Sequence, residues 1–78
     1  MHLKSDELAA LRRIYALSQQ QLGKELGVSA MHISYLESGQ RSITPELVDK
    51  AVEKFALDTA KIVEIKKIVD SYSMKGVD

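Results

Sequence analysis

The sequence predicts a single all-α domain of five helices, and three observations favour this class. Aliphatic residues are plentiful and aromatic residues are few, a mixture that suits helices better than strands; the aromatic residues are Tyr15, Tyr35, Phe55 and Tyr72. Apolar residues recur at intervals of three and four, and each such stretch follows a residue that commonly caps a helix. The 78 residues are enough for one small domain, which we expect to span 1–78.

Residues that commonly begin and end helices predict the helix bounds. In chain order the predicted helices cover residues 6–16, 18–26, 29–38, 45–56 and 59–72, with a short tail at 73–78. Ser5, followed by two acidic residues, is predicted to cap the first helix. Ser18 and Gln21 have the spacing of a capping box, S-x-x-Q, which opens the second.

The last three helices have equally local signals. Ser29 is predicted to cap the third helix, and Gly39 to end it. Thr44 precedes a proline, a combination typical of a helix start, so the lone proline opens the fourth helix rather than breaking one. The fifth helix begins at Asp58 or Thr59.

Two short helices are predicted to meet through a three-residue turn. Gly23 lies inside the second helix, where glycine costs about 1 kcal/mol relative to alanine, so we expect the next helix to approach closely there. Gly27 ends the second helix where a positive φ is expected. The side chains predicted to face one shared core are Leu22, Leu26, Val28, Ile33 and Leu36.

This pattern resembles the helix-turn-helix of the phage repressor and Cro family, also called the XRE family. Members commonly begin the second helix with Ser or Asn then Gln, as at Ser18-Gln19, and follow the third with Glu-x-Gly, as from Glu37 to Gly39. The similarity runs without a gap over residues 11–57, more than half of the chain. It implies a compact five-helix domain like that of lambda repressor.

The resemblance also implies an ion pair and a DNA-facing edge. Members typically pair an arginine at the position of Arg12 with the glutamate at Glu37, which ties the first helix to the third. They lay the third helix in the major groove of DNA. The residues this places against base edges are Ala30, Met31 and Tyr35, flanked by His32 and Ser34.

The chemistry of this edge differs from that of many readers, which use Gln, Arg, Asn or Lys to form two hydrogen bonds with one base. Ala30 and Met31 offer only apolar contact, best suited to a thymine methyl. Tyr35 supplies one hydroxyl, and His32 can contact a phosphate or a base. Side chains placed to contact phosphates are Gln19, Ser29, Gln40, Arg41, Ser42, Thr44, Arg13 and Lys24, with Lys4 able to reach an outer one.

The fifth helix carries an apolar stripe of coiled-coil type. We expect part of this stripe to face a second copy of the chain, because a small four-helix core is not expected to bury all of it. A two-fold dimer would place recognition helices about 34 to 36 Å apart and would bind an inverted repeat. The predicted interface residues are Ile62, Ile65, Ile68, Val69 and Tyr72.

Several functional classes are excluded or disfavoured. Cysteine is absent and only His2 and His32 are present, so no metal site and no cofactor are expected. Neither an acidic pair at catalytic spacing nor a phosphate-binding glycine loop is visible in the sequence, so we do not expect the protein to be an enzyme. No apolar run is long enough for a signal peptide or membrane span, which predicts a cytoplasmic protein.

The sequence therefore predicts a transcriptional regulator, a repressor that occupies operator DNA as a homodimer. We expect no separate effector domain, so regulation would come from concentration or from a partner protein. The alternative is a protein-binding module on the same fold, such as an antitoxin, an antirepressor target or a phage or sporulation accessory protein. The zero net charge and the apolar Ala30-Met31 edge favour that alternative somewhat.

Overall fold

The computed structural model describes residues 2–77, with side chains described for 2–71, and contains helices but no strand over that range. The helices are α1 (Ser5–Ile14), α2 (Gln19–Leu26), α3 (Ala30–Ser38), α4 (Pro45–Phe55) and α5 (Thr59–Val77). The predicted all-α class with five helices is confirmed for the described residues.

Side-chain caps define most of the helix starts, as predicted. Ser18, Ser29 and Thr44 each accept a hydrogen bond from the backbone N–H three residues later, at 3.0, 3.1 and 3.3 Å. The Gln21 side chain in turn accepts from the Ser18 N–H at 2.8 Å, which completes the capping box. Asp58 accepts from the N–H of Lys61 at 2.9 Å, so α5 begins at the residue after Asp58.

The first helix differs from its prediction at both ends. Ser5 is its first helical residue rather than its cap, because the Lys4 N–H is already taken by the Glu7 carboxylate at 2.8 Å. The helix ends at Ile14, two residues before the predicted end, because Ala16 adopts a left-handed φ of 53°. That conformation costs a non-glycine residue about 1 kcal/mol or more and cannot continue a helix.

A single apolar core joins the helices. α1 packs against α3 and α5, while α2 packs against α3 and α4. The largest side chains that are fully buried come from all helices except α4: Leu8, Leu11, Leu22, Leu26, Ile33, Leu36 and Ile65. The core therefore holds α3 from its inner side while α1 and α2 fix its direction.

The apolar stripe of α5 does not lie where the sequence suggested. Ile65 is 1% exposed within one chain and belongs to its core, so almost none of this side chain is left for contact with a second copy. Ile62, Ile68 and Val69 are half-buried against the same core, and the side chain of Tyr72 lies outside the described residues. The helix continues to Val77, beyond the predicted end at residue 72.

α5 is the longest helix, with 19 residues. Across the described residues 2–77, no helix is both long and apolar enough to cross a membrane.

Candidate nucleic-acid interface

The turn between α2 and α3 requires glycine at two positions. A Cβ on Gly23 would lie 2.5 Å from the carbonyl oxygen of Val28 and 3.2 Å from the carbonyl carbon of Ser29. Gly27 has a φ of 76°, which side chains resist. The close approach predicted at Gly23 is thus present, made by the backbone that leads into α3. It lets the two helices cross tightly enough to project α3 from the surface.

An ion pair ties the end of α3 to α1. The Arg12 Nε donates to Glu37 Oε2 at 2.7 Å, and Nη2 donates to Oε1 at 3.1 Å, so both carboxylate oxygens are engaged. The remaining Arg12 nitrogen, Nη1, donates to the carbonyl of Leu17 at 3.0 Å. The two side chains are 18% and 9% exposed, so solvent screens this pair less than an ordinary surface pair. It is the pair that the sequence comparison implied.

Gln19 joins the same cluster. Its Nε2 donates to Glu37 Oε1 at 3.3 Å, so the side chain at the start of α2 is held by the end of α3. An amide nitrogen carries two N–H groups, and one remains for another acceptor. The first backbone N–H groups of a helix lack partners within the helix and suit an anion, although the Ser18 hydroxyl already accepts from the N–H of Gln21 here. The Gln19 side chain, which is predicted to contact a phosphate, is therefore held in place by Glu37. The sequence did not predict this hydrogen bond.

The outer edge of α3 is presented to solvent. Ile33 and Leu36, on the opposite face, are 0% exposed. Met31 is 65% exposed and is the most exposed large apolar side chain among those described. The other residues predicted for base contact are half-exposed: Ala30, His32, Ser34 and Tyr35. The edge predicted to meet DNA is thus accessible along its whole length.

Arg41 lies beside this edge and against Tyr35. Its guanidinium carbon is 5.8 Å from the centroid of the Tyr35 ring, within the range of a cation–π contact. The backbone N–H groups of Gln40 and Arg41 donate to the Tyr35 carbonyl at 3.0 and 3.2 Å, which fixes the loop against the helix. A shallow depression of about 220 Å³ opens here, lined by Ser29, Met31, His32, Tyr35 and Arg41.

The predicted phosphate-contacting residues fall into separate groups. Arg41 and Ser42 line a second depression together with Lys4, so the N-terminal segment brings a cation next to the loop after α3. Lys24 lies elsewhere, in a depression between α2 and α4 that also contains Lys50 and Lys54. The remaining candidates are exposed except Gln19, which is half-exposed: Arg13, Ser29, Gln40 and Thr44.

Lys50 makes a contact that the sequence did not predict. Its Nζ donates to the carbonyl of Leu26 at 3.4 Å, at the end of α2 and next to Gly27. A cation at a helix C-terminus compensates the partial negative charge of the free carbonyls. The two residues are 24 positions apart, so only the packing of α4 on α2 brings them together.

Charge is unevenly distributed along the neutral chain. Between residues 8 and 45 the only acidic side chains are Glu25 and Glu37, and Glu37 is engaged by Arg12. The same segment, which contains α2 and α3, carries four cations: Arg12, Arg13, Lys24 and Arg41. Residues 8–45 therefore carry a small excess of positive charge, and Arg41 is the cation of this segment that lies against Tyr35 on α3.

A family model described as helix-turn-helix matches residues 8–62, which cover most of α1, all of α2 to α4 and the start of α5. The chain belongs to this helix-turn-helix family, of the phage repressor and Cro type. No curated protein and no solved structure gives a significant match.

Membership of the helix-turn-helix family indicates the general function of the protein. The family is one of DNA-binding transcriptional regulators rather than of enzymes. α3 is the second helix of the motif and so corresponds to the recognition helix, while α2 corresponds to the helix that crosses the DNA backbone. The resemblance seen in the sequence is confirmed as a family assignment.

Proposed function

We propose that this helix-turn-helix protein is a repressor that acts in the cytoplasm and inserts α3 into the major groove of an operator. The observation that supports this most directly is the contrast between the two faces of α3. Ile33 and Leu36 are fully buried, whereas Met31, opposite them, is 65% exposed. Because the core and the Arg12–Glu37 pair hold the helix rigidly, its exposed edge can meet base edges without reorganising.

Base contacts are assigned to the exposed edge. Ala30 and Met31 would cover thymine methyl groups, and the Tyr35 hydroxyl would form a hydrogen bond to a base. His32 and Ser34 flank this set and can reach bases or sugar-phosphate oxygens. Each contact selects among base pairs, so its loss should affect the preferred site more than other sequences.

Phosphate contacts are assigned to both sides of α3. The start of α2, with Gln19, lies on one side, and the loop after α3 lies on the other. The donors proposed there are Ser29, Gln40, Arg41, Ser42 and Thr44, with Arg13 and Lys24 farther out. If each neutralised phosphate contributes about 0.9, the salt slope should be roughly 3 to 5 per half-site.

We further propose a homodimer that binds an inverted repeat and represses by blocking polymerase. After the burial of Ile65, the parts of the α5 stripe left for a second copy are Ile62, Ile68 and Val69, which are half-buried. Relief of repression would then come from protein concentration or from a regulatory partner that covers one of these surfaces.

Selection of bound duplexes from a random pool, followed by variants on the selected site, tests this proposal. Met31→Ala and Tyr35→Ala should each weaken binding to the selected site by about 1 to 3 kcal/mol and weaken random DNA much less. Arg41→Ala should weaken both kinds of DNA and lower the salt slope by about 1. Val63→Ala, which truncates an exposed apolar side chain of α5, is the matched control. Equal effects of Met31→Ala and Tyr35→Ala on selected and random DNA would contradict the base contacts.

A protein-binding role for the same edge is the second candidate. The observation that favours it is the exposure of Met31 on a chain with no net charge, since flexible, polarisable methionine suits a protein surface. Titration with random-sequence DNA at low and high salt separates the two candidates. A DNA reader must retain salt-dependent non-specific binding, and its absence would favour the protein-binding module.

A further inference from the structure

We propose that the depression between Met31, Tyr35 and Arg41 binds the C5-methyl group of a pyrimidine in the major groove. This inference rests on the proposed DNA-binding function and goes beyond its thymine contact in two respects: it places the methyl group in one defined pocket, and it includes the methyl group of 5-methylcytosine. It also gives Arg41 a second role besides phosphate contact, that of a wall of the pocket.

The walls of the pocket are held in place by local structure. Met31 and Tyr35 are four residues apart on α3, so their side chains are neighbours on one face of the helix. The Arg41 guanidinium lies 5.8 Å from the Tyr35 ring centroid. The backbone N–H of Arg41 donates to the carbonyl of Tyr35 at 3.2 Å, so the loop that carries the cation is tied to the helix that carries the ring.

The chemistry of these walls suits a methyl group. Met31 supplies a flexible thioether, and Tyr35 supplies an aromatic face that Arg41 orients through a cation–π contact. The C5-methyl group is the apolar feature that a pyrimidine displays in the major groove. The depression of about 220 Å³ is shallow and open, as a site for the edge of a stacked base must be.

The composition of α3 excludes the usual alternative. The helix reads AMHISYLES and contains no Asn, Gln, Lys or Arg. It therefore lacks the side chains that form two hydrogen bonds with adenine or guanine. Because the most exposed large apolar side chain of the helix is Met31, apolar contact should supply part of the sequence discrimination, beside the single hydrogen bond proposed for the Tyr35 hydroxyl.

Thymine and 5-methylcytosine display the same methyl group at the same place in the groove, and modified duplexes distinguish them. Each thymine of a selected site is replaced in turn by deoxyuridine, which removes only the methyl group. At one position per half-site we expect about a fourfold loss of affinity, the value for leaving one methyl group unburied. At that position a C·G pair is then compared with and without the C5-methyl group. A gain on methylation assigns the pocket to both pyrimidines, and no gain assigns it to thymine.

Two variants show whether this pocket carries the effect. Met31→Ala removes one wall, and Arg41→Lys keeps the charge but removes the planar guanidinium that lies over Tyr35. Both should bring the ratio of thymine to deoxyuridine affinity from about four to about one, and Arg41→Lys should leave the salt slope unchanged. Val63→Ala should keep the ratio of the parent protein.

The outcomes separate this inference from the proposed function. Salt-dependent DNA binding with no effect of deoxyuridine at any position would overturn the methyl pocket and leave the regulator standing. A methyl effect that persists in both variants would also overturn it, because the methyl group would then be read elsewhere. Absence of salt-dependent binding to any duplex would overturn both proposals together.

Discussion

The α2–α3 unit and α5 differ in how much of their structure is determined by local sequence signals. Residues 18–39 begin and end where their own capping residues and glycines require, and their inward side chains are the ones the spacing predicts. α5 carries an equally regular apolar stripe, yet Ile65 lies in the core of one chain rather than at an interface between two. Local signals thus fix where a helix lies along the chain, whereas the contacts of its apolar face depend on the other helices.

The difference arises from how far apart along the chain the contacting residues lie. A cap is a contact between residues three positions apart, as in the Ser29 hydroxyl and the N–H of His32. Burial of Ile65 depends on α1, which is about 50 residues earlier in the chain. The apolar spacing of one helix does not show how many other helices pack against its apolar face. Four substitutions, taken from the largest expected effect to the smallest, sharpen or break this comparison.

Ile65→Ala should lower the free energy of unfolding by about 2 to 4 kcal/mol, because it leaves a cavity in a fully packed site. The loss should be the same at low and high protein concentration, since one chain buries Ile65 alone. Denaturant unfolding at two concentrations measures it. Val63→Ala, at a site 47% exposed, should change stability by less than about 0.5 kcal/mol. A cost for Ile65→Ala that varies with protein concentration would show that a second chain covers this residue.

Arg12→Ala should cost about 2 to 3 kcal/mol, because it removes both Arg12 hydrogen bonds to the Glu37 carboxylate, which keeps only the Gln19 amide, and removes the donor to the Leu17 carbonyl. Arg12→Lys keeps the charge but not the two parallel hydrogen bonds, and should recover only part of the loss. A double-mutant cycle with Glu37→Gln measures the coupling, expected at about 1 to 2 kcal/mol. Purely additive effects would mean that the pair does not stabilise the α1–α3 contact.

Gly23→Ala should cost about 1 to 2 kcal/mol, although alanine favours helices by about 1 kcal/mol relative to glycine. The new Cβ would meet the Val28 carbonyl at 2.5 Å, so the α2–α3 crossing must widen. Thermal unfolding followed by circular dichroism gives the sign of the change. Gln20→Ala, at an exposed position of the same helix, is the control. Stabilisation by Gly23→Ala would contradict the close approach.

Ser29→Ala should cost about 1 kcal/mol, since it removes the acceptor for the His32 N–H at the start of α3. Ser34→Ala changes the same residue type in the middle of α3 and should be neutral or slightly stabilising. Chemical denaturation of the two variants side by side isolates the cap. If both serines gave the same change, helix propensity alone would explain Ser29.

Sequence reasoning reached much of the interface for the same local reasons. The direction of α3 follows from Ile33 and Leu36, whose burial leaves Met31 outside. The contact of Arg41 with Tyr35 was not predicted, because these residues lie on either side of the turn at Gly39 and no periodicity connects them. The bond from Gln19 to Glu37 was missed for a similar reason, since it links the starts and ends of different helices.

Ser5 shows the limit of local signals even at short range. Its type and the acidic residues after it both favour a cap, yet the Glu7 side chain selects the preceding residue by accepting the Lys4 N–H. The first helical residue is therefore Ser5 itself. Helix starts predicted from residue type are therefore reliable only to within a residue or two.

The residues that anchor α3 differ from those proposed to contact DNA, and this has an evolutionary consequence. Residues 33, 36 and 37 hold the helix, whereas the residues proposed to face DNA occupy different positions of the same nine-residue segment. Substitutions on the outer edge can therefore accumulate with little penalty to folding. A lineage built on this scaffold can change the operator it recognises, one side chain at a time, while the anchoring positions stay as they are.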